Sequence, residues 1–129
     1  MSSNNKSRIL YILKILYEYT DEENTISITE IIEMLEKQSI VAHRRTIMTD
    51  IESIEESGVD VITIKSTQNR YFIGNWDFEL AEVKLLIDAV ESSKLITQKK
   101  STELIRKLTT LVSKHQASEL HGIFMLINE

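Results

Sequence analysis

The sequence predicts an α+β fold that is mainly helical, with a short β-hairpin between the helices. Apolar residues recur at helical spacing through five stretches of the chain. Two runs of alternating polarity rich in β-branched residues, 59–65 and 70–73, are separated by a polar turn, as in a hairpin. With 129 residues, 42% of them hydrophobic and 27% charged, the chain has an ordinary globular composition and room for one or two small domains.

Two amphipathic helices are predicted at the start of the chain. Residues 6–20 carry a wide apolar band at helical spacing and are followed by a polar break. A second helix is predicted over 30–37, with Thr29 as its N-cap, because a threonine hydroxyl accepts a hydrogen bond from an otherwise unpaired N–H of the first turn. Residues 26–28, just before it, are compatible with a very short strand.

The third predicted helix, over 42–57, is the most informative part of the sequence. Its apolar residues are spaced by four and three, so that one face is expected to be buried. Its first turn is basic and its last turns are acidic, which is the reverse of what the helix dipole favours. This inversion indicates that Arg44 and Arg45 serve a function rather than the stability of the helix.

Helix, turn, helix with a basic start, and then a hairpin is the order of elements in a winged helix-turn-helix. We therefore predict such a unit over 1–76, with three helices and a β-hairpin wing. A helical linker or dimerisation segment is predicted over 77–129, with helices at 78–93 and 99–116. The apolar run 123–127 is expected either to complete a partner's sheet or to continue into a longer chain.

This order of elements makes sequence-specific DNA binding the leading functional prediction. The second helix of a helix-turn-helix lies in the major groove with its N-terminal residues at base edges. Arginine suits that position because its planar fork bonds guanine O6 and N7 together, and also binds phosphate. Asp50 is expected to hold a nearby arginine rather than to read a base. The candidate DNA-binding residues are His43, Arg44, Arg45, Thr46 and Thr49 in the recognition helix, Lys65, Gln68, Asn69 and Arg70 in the wing at 65–70, and Lys6 and Arg8 near the N-terminus.

The net charge of −5 argues against strong non-specific binding to nucleic acid, which depends on neutralising phosphates. The alternative prediction is therefore a winged-helix protein-interaction module, in which the basic turn is merely solvated and the two C-terminal helices bind a partner. A salt-dependent affinity for duplex DNA would separate the two. In either case we predict no association with a membrane, because no apolar run approaches the roughly 18 residues of a membrane span. The expected location is the cytoplasm.

Composition and motifs also bear on catalysis. The sequence contains no cysteine, which excludes disulfides and thiolate metal sites, and His115 and His121 are too few and too loosely spaced for a zinc site. Glycine occurs only three times, and neither a phosphate-binding glycine loop nor a nucleophile motif is present. We therefore expect no enzymatic activity, no metal and no cofactor.

The third helix also resembles the recognition helix of bacterial WYL-domain transcriptional regulators, whose pattern is S-x-R-T-I-x-R-D-I-x-x-L-x-x-x-G-[VI]. The matching residues here are Arg45-Thr46-Ile47, Asp50-Ile51, Ile54 and Gly58-Val59. The basic start of the chain, the aromatic return strand Tyr71-Phe72-Ile73 and the segment Phe78-Glu79-Leu80 are similar to the same family. Thr49 stands where the family has a second arginine, and Arg44 is placed to compensate.

The resemblance covers the DNA-binding part of the family and not its WYL effector domain. It implies a transcriptional regulator that binds double-stranded DNA through the residues given above. We expect it to act as a homodimer through the helices of 77–116, so that two recognition helices enter successive major grooves.

Overall fold

The chain forms two compact units, Met1–Asn75 and Trp76–Glu129. A computed structural model describes residues 2–120, with side chains from Ser7 onward. The described residues form a mainly helical fold with one small antiparallel sheet of three strands. None of their helices has the length and apolar character that crossing a membrane requires. The apolar run 123–127, for which a partner or a longer chain was predicted, lies outside the described residues.

The first unit contains three helices and the sheet, in the predicted order. A short strand precedes the second helix, and the hairpin follows the third. In chain order the elements are α1 (Ser2–Tyr19), β1 (Ile26–Ser27), α2 (Ile28–Glu36), α3 (Arg44–Glu56), β2 (Val61–Ile64) and β3 (Arg70–Ile73).

The second helix begins earlier than predicted, because its N-cap is Ser27 and not Thr29. The Ser27 hydroxyl accepts a hydrogen bond from the Glu30 backbone N–H at 3.2 Å. The Glu30 carboxylate in turn accepts one from the Ser27 backbone N–H at 3.1 Å. The two bonds make a capping box, which satisfies two N–H groups at once. Thr29 is thereby moved into the first turn of α2, where its side chain is exposed and available for other contacts.

The sheet has the strand order β1-β3-β2, with both pairs antiparallel. Tyr71 lies opposite Ile26, and Ile73 lies opposite Val61. These four side chains are buried, so that one face of the sheet covers the helices. The core of the first unit consists of Ile12, Ile15, Leu16, Ile26, Ile28, Ile31, Leu35, Ile47, Ile51, Ile54, Val61, Tyr71 and Ile73.

Two residues with positive φ set the ends of α2 and α3. Ser39, at φ 61°, turns the chain after α2, and the N–H of Ile40 reaches back to the carbonyl of Leu35 at 3.0 Å. Gly58 follows α3 with φ at 110°, a backbone conformation that residues other than glycine rarely adopt. The sharp turn at Ser39 sets the direction in which α3 leaves α2.

The second unit differs from the prediction in its last helix. Instead of one helix over 99–116, α5 (Gln98–Thr109) ends and a short α6 (Lys114–Ser118) follows. The Thr110 hydroxyl bonds the Lys107 carbonyl at 2.7 Å, and Ser113 caps α6 through the Gln116 N–H at 3.2 Å. Both side chains form hydrogen bonds to backbone groups that would otherwise continue the helix. The spacing of the apolar residues does not indicate this break.

The remaining helix of this unit, α4 (Leu80–Ser92), begins two residues after the predicted start at 78, with Glu79 as its N-cap. It packs against α5. The core between the helices is small, and five buried residues form it: Val83, Ile87, Ile105, Val112 and Leu120.

Candidate nucleic-acid interface

The third helix buries one face and exposes the other. Ile47, Asp50, Ile51 and Ile54 are buried, whereas both arginines of the first turn are exposed. His43 is the N-cap, and its side chain makes no capping bond. The surface of the first turn is therefore built of cationic and polar groups that the fold does not use for the cap.

Three segments that are distant in sequence meet at the Thr29 hydroxyl. The Arg44 guanidinium donates to Thr29 Oγ1 from Nη1 at 2.8 Å. The Gln68 amide donates to the same oxygen from Nε2 at 3.0 Å. The start of α2, the start of α3 and the β2–β3 turn thus lie side by side on one exposed surface, hereafter the Thr29 junction. Thr29 is not among the predicted site residues, because its position in the sequence indicates a helix cap.

The two arginines of the first turn differ in their surroundings. Arg44 is held at the Thr29 junction. The side chain of Arg45 is exposed and makes no hydrogen bond or ion pair to any described residue. The backbone carbonyl of Arg45 accepts a bond from the Thr49 hydroxyl at 3.0 Å, so that this hydroxyl is turned back on its own helix. Thr46 is half-buried. Arg45 is thus the recognition-helix cation with most freedom to bind another molecule.

The charge of the exposed face changes along α3. Helical spacing of four, seven and eleven residues places Thr49, Glu52 and Glu56 on the same side as Arg45. The glutamates are exposed and share the outer face with the arginine instead of pointing elsewhere. A polyanion that lay along the whole of α3 would contact both the arginine and the glutamates. A polyanion that contacted only the first turn would meet positive charge alone.

Arg8 fixes the middle of α3 from the inside. Its Nε and Nη2 atoms bond both carboxylate oxygens of Asp50, the second at 3.1 Å. The two side chains are 14% and 6% exposed, so that this bidentate pair is largely removed from water. The hydrogen bond to Asp50 raises the pKa of the Arg8 guanidinium, and burial lowers it. The hydrogen bond has the larger effect, so that the pKa of Arg8 is raised. The prediction that Asp50 holds an arginine is confirmed, with the partner lying 42 residues away in α1.

Arg70 is also committed to the fold. It donates from Nε to the Thr25 hydroxyl at 2.6 Å and from Nη2 to the Thr25 carbonyl at 2.7 Å. It further pairs with Glu30 at 3.0 Å. Partial burial acts to raise the pKa of Glu30, but hydrogen bonds from Ser27 and the pairing with Arg70 outweigh it and lower that pKa. Arg70 therefore joins β3 to the capping box of α2, next to the Thr29 junction.

The β2–β3 turn keeps its shape through internal bonds. The Asn69 side-chain oxygen accepts the Ser66 N–H at 3.2 Å, and the Ser66 hydroxyl donates to the Gln68 carbonyl at 2.7 Å. Lys65 is exposed beside them. Of the predicted residues, Gln68 and Lys65 therefore face solvent, while Asn69 shapes the turn. Lys6 belongs to the backbone of α1, and its side chain lies outside the described residues.

The arrangement presents hydrogen-bond donors and positive charge, and it offers no cluster for a metal. Among residues 7–120, no group of three or more His, Asp or Glu side chains is placed to hold an ion. Comparisons with known proteins add no identification, since no protein-family model, curated protein or solved structure matches the chain.

Proposed function

We propose that the first unit is a winged helix-turn-helix that binds double-stranded DNA at particular sequences and regulates transcription in the cytoplasm of a bacterium. In this proposal α2 and α3 are the helix-turn-helix, and β2, β3 and their turn are the wing. The first turn of α3 enters the major groove, where Arg45 reads a base and Arg44 contacts phosphate or a second base.

The Thr29 junction is the observation that carries the proposal. A recognition helix and a wing must present their tips on one surface to engage one duplex, and Arg44 and Gln68 share a single hydroxyl acceptor. The Thr29 hydroxyl accepts from both, so its own proton is available for a phosphate oxygen.

The distribution of charge explains how a chain of net charge −5 binds DNA in this proposal. The cationic end of α3 meets the duplex, and Glu52 and Glu56 on the same outer face limit how deeply the rest of the helix enters. Such a binder has few phosphate contacts and modest non-specific affinity, so that base contacts contribute a large share of the binding free energy. Two copies acting together place two first turns in successive major grooves.

The test is fluorescence anisotropy with a labelled duplex from the upstream region of the protein's own gene and a scrambled duplex of equal length, over a series of salt concentrations. We expect tighter binding to the upstream duplex, an affinity that falls with salt, and loss of binding in Arg44→Ala/Arg45→Ala. Absence of binding to both duplexes at low salt would reject the proposal.

A second candidate function is a winged-helix protein-interaction module without DNA binding. It is favoured by two exposed apolar residues near the first turn of α3, Val41 in the preceding turn and Met48 in the helix. On DNA such side chains would contact thymine methyl groups, and on a protein they would contact an apolar pocket. A chain that binds no duplex but captures a protein in a Met48-dependent manner would favour this candidate.

A further inference from the structure

The second turn of α3 presents an apolar group at a position where the sequence has a hydroxyl. The Thr49 hydroxyl donates to the Arg45 carbonyl at 3.0 Å, so that it is bonded to its own helix. The Cβ atom of threonine carries one hydroxyl and one methyl group, and the methyl group is left to contact other molecules when the hydroxyl is bonded in this way. Because the side chain is exposed, the group that Thr49 offers to another molecule is its methyl group.

Met48 lies next to Thr49 in the chain and adds a larger apolar side chain to the same turn. It is 43% exposed, and every other exposed residue of α3 is polar or charged. Side chains on a helix lean toward its N-terminus, so that both residues extend over the first turn, near Arg45. Met48 and the Thr49 methyl group, hereafter the apolar patch, therefore border the cationic surface that the first turn forms.

Among the base edges of the major groove, only thymine offers an apolar group, its C5 methyl. Guanine, adenine and cytosine offer hydrogen-bond donors and acceptors there. An apolar side chain against those atoms would displace water without replacing its hydrogen bonds, which costs free energy. Against the thymine methyl the same side chain buries apolar area at no such cost. An apolar patch beside a base-reading arginine therefore favours thymine over the other three bases.

We propose that the apolar patch of Met48 and Thr49 selects a thymine next to the base pair that Arg45 reads. The contact at Thr49 is made by carbon and not by the hydroxyl, which the Arg45 carbonyl already engages. The inference rests on the proposed function and deepens it, because it names the base that the second turn of α3 prefers. It also gives Met48, which is not among the predicted site residues, a role in specificity.

The test removes the thymine methyl from the DNA and leaves the base pairing intact. The full chain first selects its preferred duplex from a pool of random duplexes. Each thymine of that duplex is then replaced in turn by deoxyuridine, which pairs with adenine in the same way and lacks only the C5 methyl. We expect one replacement, next to the base pair at which Arg45→Ala relaxes the preference, to raise the dissociation constant about fourfold, as the loss of one buried methyl group predicts. Fluorescence anisotropy measures the dissociation constants.

A matched pair of variants separates the methyl group of Thr49 from its hydroxyl. Thr49→Val keeps the methyl and should bind the thymine duplex as tightly as the natural chain, with the same loss on deoxyuridine. Thr49→Ser keeps the hydroxyl alone, and we expect it to bind the thymine duplex about fourfold more weakly and to discriminate less between the two duplexes. Met48→Ala should behave like Thr49→Ser, whereas Leu10→Ala, which truncates an exposed leucine of α1, should change neither quantity. Circular dichroism checks that each variant keeps its helices.

The possible outcomes separate this inference from the proposed function. Equal affinity for the thymine duplex and for every deoxyuridine duplex would overturn the thymine contact and leave DNA binding in place. A weak Thr49→Val together with a fully active Thr49→Ser would show that the hydroxyl makes the contact, and would also overturn it. A chain that selects no duplex from the pool would reject the proposed function, and this inference with it.

Discussion

Two ion pairs of the first unit join distant segments of the chain, whereas the pair Lys100–Glu103 of the second unit joins neighbours within one helix. In the first unit Arg8 holds Asp50, and Arg70 holds both Thr25 and Glu30. In the second unit, α4 and α5 each carry acids and bases, and the ion pair Lys100–Glu103 joins neighbours within one helix. The first unit thus uses ion pairs between distant segments to fix its own shape.

The difference also separates the cations of the first unit into two groups. Arg8 and Arg70 have the residue type expected of a DNA contact, but their guanidinium groups are used inside the fold. Arg45 is exposed and unpaired among the described residues, and Arg44 lies at the Thr29 junction. Direct DNA contact by Arg8 and Arg70 stays a prediction, and the geometry gives both a positioning role, with Arg8 supporting the middle of α3.

The largest expected effect comes from breaking the buried pair of the first unit. Asp50→Ala leaves the Arg8 charge without its partner in a largely buried position, and we expect a loss of about 3–5 kcal/mol in the free energy of unfolding. Chemical denaturation of the natural chain and the variant measures the change. The matched control is Glu52→Ala, an exposed acid of the same helix, which should alter stability by less than about 0.5 kcal/mol. Equal effects of the two substitutions would show that the buried pair does not hold the unit together.

The Thr29 junction gives a smaller effect that falls on binding more than on stability. Thr29→Ala removes the acceptor shared by Arg44 and Gln68, so that both side chains lose their fixed position. We expect DNA affinity to fall by about 0.5–1.5 kcal/mol, with little change in stability because the site is exposed. Thr29→Ser keeps the hydroxyl and should keep the affinity. If serine and alanine behave alike in the anisotropy assay, the hydroxyl has no part in positioning the interface.

The capping box of α2 gives the smallest effect, and it depends on pH. The pKa of folded Glu30 lies below its ordinary value of 4.5, so that its carboxylate stabilises the fold above the unfolded pKa. That contribution is lost as the pH falls through the lower, folded pKa. The melting temperature of Glu30→Gln should therefore lie below that of the natural chain near neutral pH, with the gap closing in acid. A gap that stays constant from neutral to acid pH would contradict this linkage, and Glu33→Gln on the same helix is the control.

Much of the first unit could be predicted from the sequence because local signals agree there. Apolar spacing predicted the three helices, and alternating residues around a polar turn predicted the hairpin. The break between α5 and α6 could not be found in this way, because leucines continue at helical spacing through it. Thr110 and Ser113 are the sequence signal of the break, since both residue types form hydrogen bonds to nearby backbone.

The candidate interface was less predictable than the fold. The exposed position of Arg44 and Arg45 followed from the face of α3 that the isoleucines bury. Asp50 is predicted to hold an arginine close to it in sequence, but its partner Arg8 lies in α1, because the way in which helices cross decides which side chains meet. Thr29 lies at the interface because Ser27, and not Thr29, is the N-cap of α2. Both residues carry a hydroxyl that can cap a helix, so the residue types alone do not predict which of them does.

The most direct test of the central claim compares two exposed cations of the first unit on one duplex. Arg45→Ala should weaken binding to the preferred upstream duplex by about 1–3 kcal/mol and relax the preference at one base pair. Lys14→Ala removes an exposed cation from α1 and should leave both the affinity and the preference close to those of the natural chain. An Arg45→Ala variant that binds the upstream duplex as tightly as Lys14→Ala would contradict the placement of the first turn of α3 in the major groove.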